Sequence, residues 1–169
     1  MTRTLLLPAA LLLLSGCTRP DPSGPPNLRL GRSECAECGM IINEDRFSSG
    51  MTVQRDGAAE PLLFDDIGCM LDYTHHHADE ITITSTYVHD HTTRAWTPAA
   101  GAMFLYTDKD RLPTPMGSGI AGFAHADQAE QARARVGGEL LDFAALAPAR
   151  RRWMEERYGS PDRPPLGGS

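Results

Sequence analysis

The stretch Glu60-Pro-Leu-Leu-Phe-Asp-Asp-Ile-Gly-Cys-Met-Leu71 decides how the chain folds. Its first part, Glu60 to Phe64, reads as a short strand, and its second part sets Ile67, Met70 and Leu71 on one face of a helix. Asp65 or Asp66 stands at the junction, where a carboxylate can accept from a free backbone N–H and cap the helix. Upstream, Asp56-Gly57 is a hairpin-turn signal, and Phe47 to Gln54 supplies the partner strand.

The same order recurs downstream. Ile81 to Val88 is rich in β-branched residues, and Ala102 to Thr107 reads as another strand, with Trp96 between them. Asp127 and Glu130 have capping-box spacing at the head of an Ala-rich helix, which Gly137-Gly138 ends. Glu139 to Leu141 reads as a closing strand. Phe64 and Phe123 each stand just ahead of a helix, which points to a duplicated α+β unit. Pro148 to Tyr158 reads as a terminal helix whose Arg150-Arg151-Arg152 run forms a solvated face. From residue 159 to 169 Pro, Gly and Ser dominate, and a disordered tail is expected.

With 169 residues, 41% of them apolar, the chain has one domain's worth of core. A formal net charge of −6 argues against a nucleic-acid binder, which presents a basic face. The first residues form an address. Arg3 precedes an apolar run from Leu5 to Leu14 that is too short to span a bilayer, which takes roughly 20 residues. The run ends in Leu14-Ser15-Gly16-Cys17, similar to the lipobox of bacterial lipoproteins. Residues 1–16 are therefore expected to be a cleaved signal peptide, with Cys17 carrying diacylglycerol and 17–33 forming a flexible linker. Thr18 in place of Asp after Cys17 favours the outer membrane of a two-membrane bacterium, so the domain is expected to work outside the cytoplasm.

Three thiols then remain: Cys35, Cys38 and Cys69. Cys35-Ala-Glu-Cys38 is a CxxC whose spacing lets two sulfurs face one centre or each other. Haem attachment fails because Gly39, not His, follows the second Cys. A zinc ribbon fails for want of a second knuckle. A disulfide, structural or redox-active, stays open because exported thiols meet an oxidising compartment. Against a thiol–disulfide oxidoreductase, Gly39 and Ile41-Ile42 are a poor helix start after the first Cys. Methionines bring in copper. Thiolates and thioethers are soft donors that select Cu(I), and two thiols with one Met suffice. Met51, Met70, Met103 and Met154 lie in core-like patterns, whereas Met116 lies on the Pro- and Gly-rich loop Leu112 to Gly119, where it either plugs the core or is presented for contact. His75, His76, His77, His89, His91 and His125 read as solvated or structural first and as accessory ligands second. Asp65-Asp66 reads as helix capping rather than paired acid chemistry, and no catalytic motif appears, so an enzyme is not expected.

Taken in order, the lipobox, Cys35-Ala-Glu-Cys-Gly-Met-Ile-Ile42, Phe64-Asp-Asp-Ile-Gly-Cys-Met70, Tyr87-Val-His-Asp90, Met116-Gly117, Phe123 and Gly137-Gly138 resemble the NosL family of copper-chaperone lipoproteins for nitrous-oxide reductase. The resemblance covers roughly Cys35 to Phe143. It implies an α+β fold of two related ββαβ units, similar to part of the organomercurial lyase fold, with a C-terminal helix added over 147–158 and a metal-binding domain over 34–146. It also implies Cu(I) as cargo, delivered to nitrous-oxide reductase through a membrane transporter assembly. Carried over by motif, Cys35, Cys38, Met40 and Met116 are the ligand candidates, with Cys38, Cys35 and Met116 foremost. Cys69, the His75–His77 run, and His89 with His91 are not features the resemblance demands.

Overall fold

The structure, a computed structural model, describes residues 24–159. The expectations for the signal peptide, for Cys17 and for residues 160–169 lie outside the described residues. The elements are β1 (Ser49–Arg55), β2 (Ala58–Phe64), α1 (Ile67–His76), β3 (Thr82–His89), β4 (Trp96–Pro98), β5 (Met103–Tyr106), β6 (Ile120–Phe123), α2 (Ala126–Val136), β7 (Glu139–Asp142) and α3 (Phe143–Tyr158). They form two antiparallel sheets, ordered β2-β1-β3-β4 and β6-β5-β7.

The duplication is visible in this order. In each sheet the first strand of the unit sits in the middle, its hairpin partner on one side and the strand after the helix on the other. A ββαβ unit therefore occurs twice, and the fold is α+β. The short strand β4, which pairs with β3 and ends in Pro98, is the addition that sequence periodicity did not reveal; three residues carry no alternation to read, and Pro is compatible with an edge.

Two helix starts differ from expectation. At α2 the cap position is His125, with no side-chain cap bond, and Glu130 pairs with Arg133 along the helix surface instead of reaching back. The capping box is not formed, because Glu130 sits a full turn inside the helix. The terminal helix starts at Phe143 rather than Pro148. Asp142 caps it by accepting from the Ala145 N–H at 2.8 Å. Pro148 then lies inside the helix, and the lost backbone bond is offset by burial of Leu146 and Ala149 on either side. Arg150 is not on a solvated face. It is buried and clasps Asp72 of α1 through two bonds of 3.0 and 2.8 Å, while Arg151 and Arg152 are exposed.

Packing joins the units at their seam. Met51, Val53, Phe64, Ile67, Met70, Val88, Phe104 and Ile120 share one core, and Phe47, Leu105, Ala121, Phe123 and Ala129 form a second under α2. At Gly122 a Cβ would stand 2.9 Å from Val88 Cγ2, so β6 approaches β3 at the one position without a side chain. The stretch expected to be linker contributes as well: Pro26 is buried and Leu28 packs on the first core.

Asp90, fully buried just after β3, ties the first unit to the second. It accepts from the N–H groups of Thr92 (3.1 Å) and Thr93 (2.6 Å) and from the Thr93 hydroxyl (2.7 Å), and across the seam from the Ala124 N–H (2.7 Å). Burial alone would raise its carboxyl pKa, but the N–H groups of Ala124 and Thr93, the Thr93 hydroxyl and the Thr92 N–H outweigh burial and hold it below the ordinary carboxylate range. A folded-state value below the unfolded one means stability that is present above the unfolded pKa and is lost as pH falls through the folded one. Asp90→Asn should cost about 2–3 kcal/mol at neutral pH, since an amide cannot serve four donors. Urea midpoints measured from pH 6 to pH 3 should fall less steeply in the variant than in the native protein.

Candidate metal centre

The centre is built where two pieces of chain meet. One is the loop before β1. Its Cys35 N–H donates to the Met40 carbonyl (2.8 Å) and its Gly39 N–H to the Cys35 carbonyl (2.9 Å), so the CxxC closes into a tight turn. Gly39 has φ +72°, which a side chain would disfavour. The Ala36 N–H, donating to the Leu63 carbonyl at 2.8 Å, fastens this turn to β2, and fully buried Ile42 roots its far end in the core. The other piece is the junction of β2 with α1. There Asp66 is the cap, accepting from the Gly68 N–H at 2.7 Å, and Cys69 follows in the first turn of α1.

These two pieces bring the Cys35, Cys38 and Cys69 sulfurs and an Asp65 carboxylate oxygen together, all within 4.8 Å of one another. The thiols are free. Cys35, Cys69 and Asp65 are buried and Cys38 is exposed, so the cluster has a closed floor and one open edge. Cys38 Sγ stands 3.8 Å from the Asp65 carboxylate. Placement at the head of α1 puts the cluster where the helix end favours negative charge.

Electrostatics divide the three thiols. The Cys69 S–H donates toward Cys35 and, against the opposing effect of burial, holds the Cys35 pKa down at about 7, with help from the N–H groups of Cys38 and Asp65. That hydrogen bond, then burial, pushes Cys69 upward. Cys38 is pushed up to about 11, by desolvation first and also by the negative Cys35 and Asp65 nearby, against a favourable contact with the Met40 backbone. The free protein thus keeps its negative charge at the floor of the cluster, and a metal that enters must displace protons from the remaining thiols.

The loop from Leu112 to Gly119 is fastened to the same junction. The second oxygen of Asp66 accepts from the Thr114 hydroxyl at 2.6 Å and from the Met116 N–H at 3.0 Å. Thr114 Oγ1 in turn accepts from the Ser118 N–H at 2.9 Å. At Gly68 a Cβ would lie 2.5 Å from the Ser118 Cβ, so the loop rests directly on the first turn of α1. Met116 is 45% exposed and Met40 is 57% exposed, so both thioethers are presented to solvent rather than plugging the core. Met51 and Met70 are buried core residues, and Met103 and Met154 are half-buried.

The histidines are used elsewhere. His89 is buried, bonds to the Ser48 hydroxyl through Nδ1 (2.7 Å) and stacks on Trp96 with 3.7 Å between ring centroids; burial lowers its pKa. His91 lies between the rings of Phe47 and Phe123. His77 packs on Tyr73 and bonds to Glu80. His76 bonds to Glu37, inside the CxxC, at 2.8 Å. His75 and His125 are exposed. Sequence reasoning singled out Cys35, Cys38, Met40 and Met116 but left Asp65 and Cys69 aside. The usable signal was the doubled acid ahead of a first-turn Cys: one carboxylate suffices for the cap, which leaves the other uncommitted.

Known proteins share both the sequence pattern and the fold. The NosL family model matches residues 30–150, and the chain belongs to the NosL family. Among solved structures, the crystal structure of the copper chaperone NosL from Shewanella denitrificans has the same fold, with a TM-score of 0.55 at 22% identity. The match covers 71% of this chain and 96% of that one. No curated protein gives a match.

Asp66→Ala should remove the α1 cap and free the Met116 loop together. The expected loss of stability is about 2–3 kcal/mol, from the cap and two charge-assisted bonds. Thermal unfolding checks the magnitude, and amide hydrogen exchange should accelerate at Met116 and Ser118 more than in the β5–β7 pairing.

Proposed function

We propose that this protein is a copper-binding chaperone that carries Cu(I) on Cys38 and Cys35 with the thioethers of Met116 and Met40. The observation that carries the reading is the free thiol pair of the CxxC turn, set in a cluster of donors next to a loop that presents Met116 and is held by Asp66. Soft donors of this kind select Cu(I) over hard cations. A carrier must also release its ion. The floor of the cluster is buried, while Cys38, Met40 and Met116 are exposed, so an acceptor can take over the exposed ligands one at a time before the last bond breaks.

Membership of the NosL family, and a fold shared with a solved copper chaperone, support a binding module rather than an enzyme. The finer reading is that copper goes to the copper centre of nitrous-oxide reductase through its transporter assembly. In this reading Cys17 bears diacylglycerol and tethers the chain outside the cytoplasm, at the periplasmic face of the outer membrane. The tether raises the effective concentration of the carrier at a membrane-bound acceptor. Each ββαβ unit is read as akin to part of the organomercurial lyase fold.

The test is an anaerobic titration of the reduced protein with Cu(I) against a competing chelator. One tightly bound Cu(I) per chain is expected. Cys38→Ser and Met116→Ala should each weaken it by about tenfold or more, roughly 1.4 kcal/mol, with the thermal unfolding curve little changed. Unchanged affinity in both variants would sink the ligand assignment. Absence of binding by the native protein would remove the copper reading and favour an exported thiol–disulfide oxidoreductase or a disulfide staple.

A further inference from the structure

The described chain enters the domain across the face of the first sheet that points away from the core. In β1, Met51 and Val53 point into the first core, so Gly50 belongs to the other face. Pro26 is buried there and fills the space above Gly50: a Cβ on that glycine would stand 3.0 Å from the Pro26 Cγ and Cδ. Gly50 pairs with Leu63 of β2 on one side and with Tyr87 of β3 on the other. Downstream of Pro26 the chain departs over β2, where the Ala36 N–H donates to the Leu63 carbonyl. Upstream it therefore arrives over β3 and β4. That side of the face is aromatic. Tyr87 and His89 alternate along β3, and Trp96 of β4, the register partner of His89, stacks on it with 3.7 Å between ring centroids. Tyr87 stands edge-on to Trp96 at 6.5 Å, and both rings are half-buried. The segment that arrives is Arg19-Pro-Asp-Pro-Ser-Gly-Pro-Pro26, with prolines at 20, 22, 25 and 26.

Proline suits such a face. Its fixed φ keeps the chain extended before it binds, so little conformational freedom remains to be lost. It has no N–H to leave unpaired over a sheet whose own backbone bonds lie within the sheet, and its ring packs on the flat rings of Trp and Tyr. Pro22 stands four residues before Pro26, about 12 Å along an extended proline-rich chain. From β1 across β3 to β4 is two strand spacings, about 10 Å, so Pro22 reaches Trp96. We infer that residues 19–23 dock on this face as an extended strap that crosses Tyr87 and seats Pro22 on Trp96. The chain then leaves the domain at β4, the edge opposite β2, to which the CxxC turn is fastened. On the reading that Cys17 is acylated, five residue steps, about 17 Å at full stretch, join the lipid to Pro22. The strap thereby holds the β4 edge towards the bilayer and turns the thiol cluster away from it. Only this orientation rests on the lipid reading; the docking of the strap stands on the sheet face and the entry of the chain at Pro26.

The chain from Cys17 onward, which keeps every described element, is isotopically labelled for NMR in solution. The amides of Arg19, Asp21 and Ser23 should have order parameters close to those of the sheet, about 0.85. Protons of the Pro22 ring should show nuclear Overhauser contacts to the Trp96 indole. Pro22→Gly should abolish those contacts and lower the three order parameters below about 0.6, with the amide shifts of β5–β7 unchanged. Trp96→Leu should act in the same way from the side of the sheet. Pro22→Gly alters no described residue, so it decides the matter even where Trp96→Leu fails to fold. Order parameters below about 0.6 in the native chain overturn the docking, as does an ordered segment whose contacts run elsewhere than Tyr87 and Trp96. The acylated protein is then placed on vesicles that contain a lipid with a paramagnetic headgroup. Amides of β4 should lose more intensity than those of β2, and equal losses overturn the orientation. A protein without an acyl group on Cys17 overturns the lipid reading and leaves the strap standing on the solution data.

Discussion

The centre depends on one carboxylate. Asp66 accepts from the Gly68 N–H with one oxygen and from the Thr114 hydroxyl and the Met116 N–H with the other. The first bond starts α1, and so sets Cys69 and Asp65 at its head. The other two hold the Met116 loop against the same helix end, where Gly68 leaves room for Ser118. A capping bond is ordinarily a local matter of about 1 kcal/mol. Here the same side chain also couples the β5–β6 loop of the second unit to the thiol cluster of the first. Each part would be misplaced without the other.

The two ββαβ units share a topology but not a chemistry. Where the first unit has Phe64-Asp65-Asp66-Ile67-Gly68-Cys69, the second has Phe123-Ala124-His125-Ala126-Asp127-Gln128. The aromatic that anchors the strand to the core is kept, with both rings buried. The acids and the thiol are not. The second junction is instead satisfied from outside, by Asp90 of the first unit accepting from the Ala124 N–H. One unit thus supplies the thiols and the cap. The other, supported at its own junction by Asp90 of the first, supplies a loop that carries a thioether.

Burial divides the cluster into a floor and a rim. Cys35 and Cys69 sit at 2% and 5% exposure, and the shared hydrogen bond between them places the first negative charge at Cys35. Cys38 and the two thioethers lie at the rim. A fully buried set of the same ligands would bind an ion and be slow to surrender it. An exposed set would leave it open to solvent. On the copper reading proposed above, sulfurs divided between floor and rim would provide both an anchor and a point of access.

Much of this was legible in residue order. The hairpin signal at Asp56-Gly57, the strand into Phe64, the capped helix and its repetition are local, because turn chemistry, capping and apolar period act over a few residues. The CxxC, the loop with Met116 and the family likeness could be read the same way. What sequence order could not decide were the partners of groups that have several options. Two adjacent acids compete for one cap, and only the fold assigns Asp66 to the helix and Asp65 to the thiols. Arg150 reads as one of three solvated arginines until α3 is laid on α1 and Asp72 claims it. Cys69 stands 31 residues beyond Cys38 in the chain, and no spacing rule joins them. The sequence by itself determined most of the elements, though not β4 or the start of α3, and the kind of donor atoms. Tertiary structure decided which donors meet, because convergence on one point is a property of how β2, α1 and the CxxC loop pack.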